Sequence, residues 1–400
     1  MATRPAPGLP PGPWTIGLDM PLTGEIAFRG VVIQDAVQLA IDDQNAAGGI
    51  GGSQLVLDIR DHGAPAPVVL DNDKAKANVT AFIDAPKTVA MIGPWGSYSA
   101  HAEIPLTNAA GLLQCAPATT DQALTKPRDG ALDLRSAFPD RINYIRTAPA
   151  DDIQGVALGS FVYRDLAAKK TLVIDDGDFG REIADQFTAA YEKLGGVTQR
   201  ITLNAGADPS TVLGSLQGAD APQAVFFGGF ADTGAPALRQ AMVAGGSGAV
   251  PFVSWDGISG DSTDATSFLS LTGVTAATGS YYSHASIALA KADFVERYRT
   301  RFGVEPDEYA AAGYACAQII FEALRAVAAT GPSAAGLREA VRAYAVDTAH
   351  RYETVIGTVG FDANGDSLQQ FVTFYRIDPS AAAGKGDWVI DKQQDYGPAP

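Results

Sequence analysis

Between Trp14 and Ile59 the chain changes its hydrophobic period twice. Trp14-Thr15-Ile16-Gly17-Leu18 is a short apolar run of strand type, and Thr23-Gly24 breaks it. Gly30 then stands at the mouth of a helix. From Val31 the apolar positions Ile33, Ala36, Val37, Ala40 and Ile41 follow a helical spacing, while Gln34, Asp35, Gln38, Asp42 and Asp43 take the other face. Gly48-Gly49 supplies residues that enter the left-handed conformation cheaply, so the helix stops there. Leu55 to Ile59 resumes strand character. The pattern predicts a βαβ unit with a polar turn, and in open α/β sheets ligands bind at such turns.

The alternation continues. Further strands are predicted at Leu55–Arg60, Val89–Gly93, Leu112–Ala116, Tyr144–Thr147, Thr171–Asp175, Val197–Leu203, Ala224–Gly228, Pro251–Trp255 and Thr278–Ser283. Helices fall between them, near 30–46, 67–84, 98–110, 152–168, 181–194, 210–217, 234–244 and 262–270. Repeated β-α-β implies parallel sheets covered by helices on both faces. After Ser286 the pattern turns helical near 290–302, 308–329 and 333–345, then extended at Val355–Phe361 and Phe371–Ile377. Two similar βα halves meet near Thr147–Asp152, where Asp151-Asp152 has the look of a helix N-cap. Thr119 to Arg141 is long for a loop, which marks it for function.

A chain of 400 residues suits two lobes better than one core. The net charge of −16 argues against nucleic acid or an anionic membrane surface as partner. No run is read as long and apolar enough to span a bilayer. The start, MATRPAPGLPPGP, lacks an apolar signal core, which leaves a cytosolic protein or one whose leader has been removed. Cys115 and Cys316 both read as buried small hydrophobes, not as a disulfide framework.

Catalytic and metal chemistries find little purchase. His62, His101, His284 and His350 show no metal-ligand spacing, and no metal or cofactor is expected. Gly96-Ser97-Tyr98-Ser99-Ala100 lacks the closing glycine of a nucleophile elbow. Gly48-Gly49-Ile50-Gly51-Gly52 follows a helix, so it cannot set phosphate at a helix start. Asp362-Ala363-Asn364-Gly365-Asp366 begins like a calcium loop but lacks the distal Glu, so a hairpin turn is expected.

Binding chemistry is better represented. Gly93-Pro94-Trp95-Gly96-Ser97 follows a strand and opens a helix, and Ala116-Pro117-Ala118-Thr119-Thr120-Asp121 follows the next strand. Both turns offer hydroxyl and N–H groups suited to a carboxylate. In the second half, Asp175-Asp176-Gly177-Asp178-Phe179-Gly180, Phe227-Gly228-Gly229-Phe230 and Ser254-Trp255-Asp256-Gly257 each put an aromatic or an acid at a strand end. Together they suggest an aromatic wall with one carboxylate, facing the hydroxyl turns across a cleft.

With Leu22-Thr23-Gly24, Asn45-Ala46-Ala47-Gly48-Gly49-Ile50, Ile92-Gly93 and Ala116-Pro117-Ala118-Thr119, these motifs make Thr15 to Ile377 resemble type I periplasmic binding proteins. The nearest branch is the leucine/isoleucine/valine-binding family that feeds ABC importers. The resemblance implies two Rossmann-like lobes joined by three hinge crossovers near Thr147, Gly279 and Val359. Lobe 1 would comprise 14–147 plus 280–358, lobe 2 148–279 plus 359–400, with 1–13 as a Pro-rich extension. It implies a periplasmic or lipid-anchored monomer, not an enzyme, that closes on an amino acid-like ligand and delivers it to a membrane permease.

Carried over by position, Ser97 would bind the ligand carboxylate, Thr119 and Thr120 beside Ala118 its head group, and Asp256 its ammonium. Phe179 and Phe230 would be the aromatics of the closing lobe, in places where tyrosine is common, and Phe28 and Trp95 would add ring surface. Arg29 falls where relatives often carry an aromatic and could meet a second ligand carboxylate or merely bridge the lobes. The implied ligand is an apolar or aromatic amino acid. An aromatic carboxylate or amide, or a cytosolic ligand-sensing regulator on the same fold, are the alternatives.

Overall fold

The computed structural model describes residues 12–397 apart from 66–69, 127–133, 178–179, 205, 261–262 and 331–333. The chain divides into two compact units. One contains residues up to Ala150 together with Ser286–Gln370, and the other contains Asp151–Ala285 and Phe371–Tyr396.

The first unit is built on five parallel strands: β1 (Trp14–Met20), β2 (Leu55–Asp61), β3 (Thr88–Ile92), β4 (Leu113–Ala116) and β5 (Tyr144–Arg146). They run in the order β2-β1-β3-β4-β5. Trp14, Ile16, Leu18 and Met20 alternate onto one face, where they pack with the helices Ala27–Ala46 and Glu308–Thr330. Gly17 points the other way, and a Cβ there would meet the Phe82 ring at 2.8 Å. Helices thus cover both faces, as the near-continuous apolar strands require.

The first helix buries Ile33, Ala36, Val37, Leu39, Ala40 and Ile41. It starts at Ala27, earlier than expected, and takes Gly30 into its first turn, where a Cβ would strike the Pro21 carbonyl at 2.1 Å. At the other end Gly48 and Gly49 adopt φ of +101° and +74°. Asn45 completes the stop by bonding the Leu55 backbone in both directions, at 2.8 and 2.9 Å.

Glu308–Ala328 corrects the reading of the chain as free of spanning runs. It has the length and apolarity to cross a membrane, but 78% of it is buried inside the unit, so it is a core helix. Its Cys316 corrects a second expectation. Cys316 and Cys115 form a disulfide, with Cα atoms 5.7 Å apart. The helix lies against β3 and β4 and so brings together two cysteines 201 positions apart, a proximity no sequence spacing reveals.

The second unit carries seven strands: β6 (Lys170–Asp175), β7 (Val197–Thr202), β8 (Ala224–Gly228), β9 (Phe252–Ser254), β10 (Ser280–Ser286), and two strands added below. β7-β6-β8-β9-β10 are parallel neighbours. The first unit adds a small antiparallel pair, β11 (Tyr352–Thr354) and β12 (Gly357–Val359), so the single extended run expected at Val355–Phe361 is a hairpin. β13 (Phe371–Asp378) and β14 (Asp387–Asp395) then return to the second unit's sheet as an antiparallel pair at its edge.

The crossings differ from the expected positions. β10 pairs with β9, which places 280–285 in the second unit. Residues 359–370 stay with the first unit, held by contacts such as Arg146 N–H to the Gly365 carbonyl at 3.1 Å. Asp151 precedes the helix Asp152–Ser160 but makes no side-chain cap bond to it.

Candidate functional site

In the first unit the predicted polar residues gather at the C-terminal ends of β3 and β4. Ser97 is the first residue of the helix Ser97–Ala110, whose Gly96 cap gives no side-chain bond. The Ser97 Oγ accepts hydrogen bonds from the backbone N–H groups of Thr120 and Asp121, both at 3.3 Å. The two hydroxyl-bearing turns are therefore tied to each other. Thr119 is buried, and its hydroxyl is hydrogen-bonded to the Tyr144 phenol. Burial pushes the Tyr144 phenol upward, so it keeps its proton. Thr120 is half-buried and Ala118 buried. Trp95 is half-buried against the core, with its indole N–H enclosed and unpartnered.

A second tier holds these turns. The Arg146 guanidinium, wholly buried, donates to the Asp121 carbonyl at 2.8 Å, the Thr119 carbonyl at 3.4 Å and the Thr125 hydroxyl at 2.9 Å. His101 meets Asp121 at 2.8 Å. Sequence reasoning missed both. Arg146 is hidden in an apolar strand, and only its charge in a buried run hinted at a role.

Arg29 and Phe28 lie at the start of the first helix. The Arg29 guanidinium sits over the Phe28 ring at 4.8 Å and the Tyr309 ring at 5.7 Å. Phe28 is 59% exposed. The nearby Asp307 carboxyl is pushed up by burial, and Arg29 partly offsets this. Asp61 fixes the preceding turn, accepting from Leu22 N–H at 2.7 Å and the Thr23 hydroxyl at 2.7 Å.

In the second unit the predicted residues lie at the ends of β8 and β9. Phe230 meets Trp255 edge-on, ring centres 5.2 Å apart, and the Trp255 indole donates to the Gly229 carbonyl at 2.8 Å. Thr233 accepts from Phe230 N–H at 2.8 Å and donates to Asp176 at 3.1 Å. Asp176 also caps Gly180 N–H at 3.0 Å, and Asp175 is taken by Arg200 at 2.6 Å. These two acids are structural. Asp256 is the more accessible one, its side chain 30% exposed, and it faces His284 Nδ1 at 3.3 Å. His284 comes from β10 and was not anticipated as a neighbour of Asp256. Phe179 lies outside the described residues.

A family model for periplasmic binding proteins matches residues 13–385. A Leu/Ile/Val-binding protein of Rhizobium johnstonii is 28% identical, over 90% of this chain and 91% of its own. A leucine-binding protein from Thermotoga maritima has the same fold, with a TM-score of 0.64, 21% identity and coverage of 96% and 99% of the two chains. A solute-binding protein of an ABC transporter from Rhodopseudomonas palustris, solved with 3,4-dihydroxybenzoic acid, gives 0.62, 20%, 96% and 98%.

Proposed function

This chain belongs to the periplasmic binding protein family, and we propose that it is the solute receptor of an ABC importer for a small amino acid-like ligand. It is a binding protein, not an enzyme, and acts outside the cytoplasm. The Cys115–Cys316 disulfide accords with an oxidising compartment.

The observation that carries the reading is the complementary chemistry of two sets of residues. The first unit offers donors at Ser97, Thr119 and Thr120, at the ends of parallel strands beside a helix start. The second offers the partly accessible carboxylate of Asp256, beside the Phe230–Trp255 ring pair. A zwitterion with an apolar side chain satisfies both. In this reading the two units close on the ligand by a hinge motion whose equilibrium the ligand shifts, and the closed monomer docks on a membrane permease. Binding of branched-chain amino acids by the Rhizobium johnstonii relative supports the ligand class.

Arg29 and the two ring clusters favour a second reading, an aromatic carboxylate. The Rhodopseudomonas palustris neighbour was solved with such an acid. A thermal-shift screen with aliphatic and aromatic amino acids, benzoates and amides separates the two. A ligand at a hundred times its Kd stabilises by about 2.7 kcal/mol. A shift with amino acids alone supports the first reading, a shift with benzoates alone the second, and no shift with either class overturns both.

A further inference from the structure

Behind the hydroxyl turns, the first unit encloses a side-chain cluster that the ligand chemistry does not use. Asp19 stands near the end of β1, His62 just after β2, and Glu103 on the helix that begins with Ser97. All three are completely buried. One ligand-capable atom from each lies within 4.8 Å of the others. His62 Nδ1 approaches Asp19 Oδ1 to 3.1 Å but is not aligned for a hydrogen bond. Neither His62 ring nitrogen has a hydrogen-bond partner, and the free oxygens of Asp19 and Glu103, Oδ2 and Oε1, have no N–H donor; the two carboxyls meet only each other, a contact that needs a shared proton.

Burying an unpartnered imidazole costs free energy, and two carboxyls side by side must either repel as anions or hold a proton between them. A divalent cation relieves most of both penalties at once. It binds a carboxylate oxygen from each acid and one of the two imidazole nitrogens, and it cancels the charge of two carboxylates while leaving imidazole neutral. The surroundings suit this. Asn78 donates to Asp19 Oδ1 at 2.8 Å, and Gln114 donates to Glu103 Oε2 at 2.7 Å. Gln114 is itself fixed by the Thr107 hydroxyl at 2.8 Å. Such outer contacts orient ligating carboxylates.

We propose that Asp19, His62 and Glu103 form a structural site for one divalent transition-metal cation of the zinc class. One imidazole and two carboxylates make a mixed N/O donor set, which zinc accepts with bonds of about 2.0–2.2 Å. Ligand atoms spaced at the 3.1 Å of the His62–Asp19 approach fit around such an ion. The ion would tie the ends of β1 and β2 to the helix that presents Ser97, and so brace the head-group turns from behind. The three ligands come from distant stretches of chain, so no motif spacing announces them.

The test uses the full chain without a polyhistidine tag and with its disulfide intact. Because the cluster is enclosed, the protein is unfolded in urea with a chelator, desalted, and refolded with or without ZnCl2. Elemental analysis after dialysis should find about one zinc per chain, with a thermal midpoint several degrees above the metal-free sample. Refolding with Co2+ should give the visible absorption of a cobalt ion held by nitrogen and oxygen, a readout that needs no variant. His62→Gln, checked for folding by circular dichroism, should lose both signals. Zinc retained equally by His62→Gln, or less than a tenth of an equivalent in the natural protein, overturns the proposal. So does a Glu103→Gln variant that is more stable than the metal-treated natural protein, since a shared proton would then be what the two carboxyls require.

Discussion

Arg146 Nε donates to Asp366 Oδ1 at 2.7 Å, although 220 positions separate the two residues. Both side chains are almost completely buried. The pair joins β5 to the turn Asp362–Asp366, and the rest of the Arg146 guanidinium holds the Thr119–Asp121 backbone. A turn that looks like a plain hairpin in sequence therefore supplies the counter-charge behind the head-group residues.

Removing that carboxylate should be expensive. Asp366→Asn leaves a buried guanidinium without its partner, and unfolding in urea should report a loss of about 3–5 kcal/mol at pH 7. The loss should depend on pH. Burial pushes the Asp366 carboxyl up, but Arg146, Thr125 and Lys126 outweigh it and hold the group below its ordinary 3.8. A depressed carboxyl contributes its full stability above 3.8 and loses it as pH falls through the lower folded value. The gap between natural protein and variant should therefore hold above 3.8, begin to close below it, and vanish only below the lower folded value. A gap that does not change with acid would remove the ion pair as its cause.

The Cys115–Cys316 bridge closes a loop of 201 residues. Chain-entropy reasoning assigns such a loop roughly 5 kcal/mol, of which measured cases often recover only part. The Cys115→Ala, Cys316→Ala double variant should unfold about 2–5 kcal/mol more easily. Reductant should shift the natural protein toward the variant and leave the variant unmoved. An equal response of both proteins would mean the thiols are unpaired.

Asp256→Asn separates ligand classes. Loss of a charge partner for an ammonium costs about 1.5–3 kcal/mol, or tenfold to more than a hundredfold in Kd for an amino acid by calorimetry. Affinity for a benzoate should move little or improve. Because Asp256 faces His284, the double variant with His284→Gln tests whether the imidazole shares the task. Unchanged amino acid affinity in Asp256→Asn would exclude the ammonium contact.

Arg29→Leu should barely touch stability. Its contacts are to the Phe28 and Tyr309 rings, and partly exposed cation–π pairs contribute about 0.5–1 kcal/mol. If Arg29 meets a second anionic group on the ligand, the variant should lose tenfold or more in affinity for ligands with two acidic groups and none for leucine. Parallel loss for both would make Arg29 a support for the Phe28–Tyr309 surface.

Much of the fold was legible because period-2 and period-3.6 patterns follow burial directly. The first helix and the parallel strands lie close to where their apolar positions put them. β14 escaped notice because Asp387–Asp395 is a charged, partly exposed edge strand with little apolar alternation. The hydroxyl turns were legible from their position after strands, and the structure links Ser97 to the Thr120 turn. What could not be read were pairings across long separations: Arg146 with Asp366, Asp256 with His284, Cys115 with Cys316, and His62 with Asp19. Each depends on which elements become neighbours, and local composition carries no trace of that.

The chain path through the two units sets an order of events during synthesis. The second unit draws most of its residues from the stretch Asp151–Ala285, but the first waits for Ser286–Gln370 to complete its core. Cys115 thus emerges from the ribosome 201 residues before its partner, on a sheet whose covering helix has yet to be made. Until the helix bearing Cys316 arrives, that thiol has no native partner. This makes the first unit the half of the newborn chain that stays unfinished longest, with an uncovered apolar sheet face that a holding chaperone would recognise.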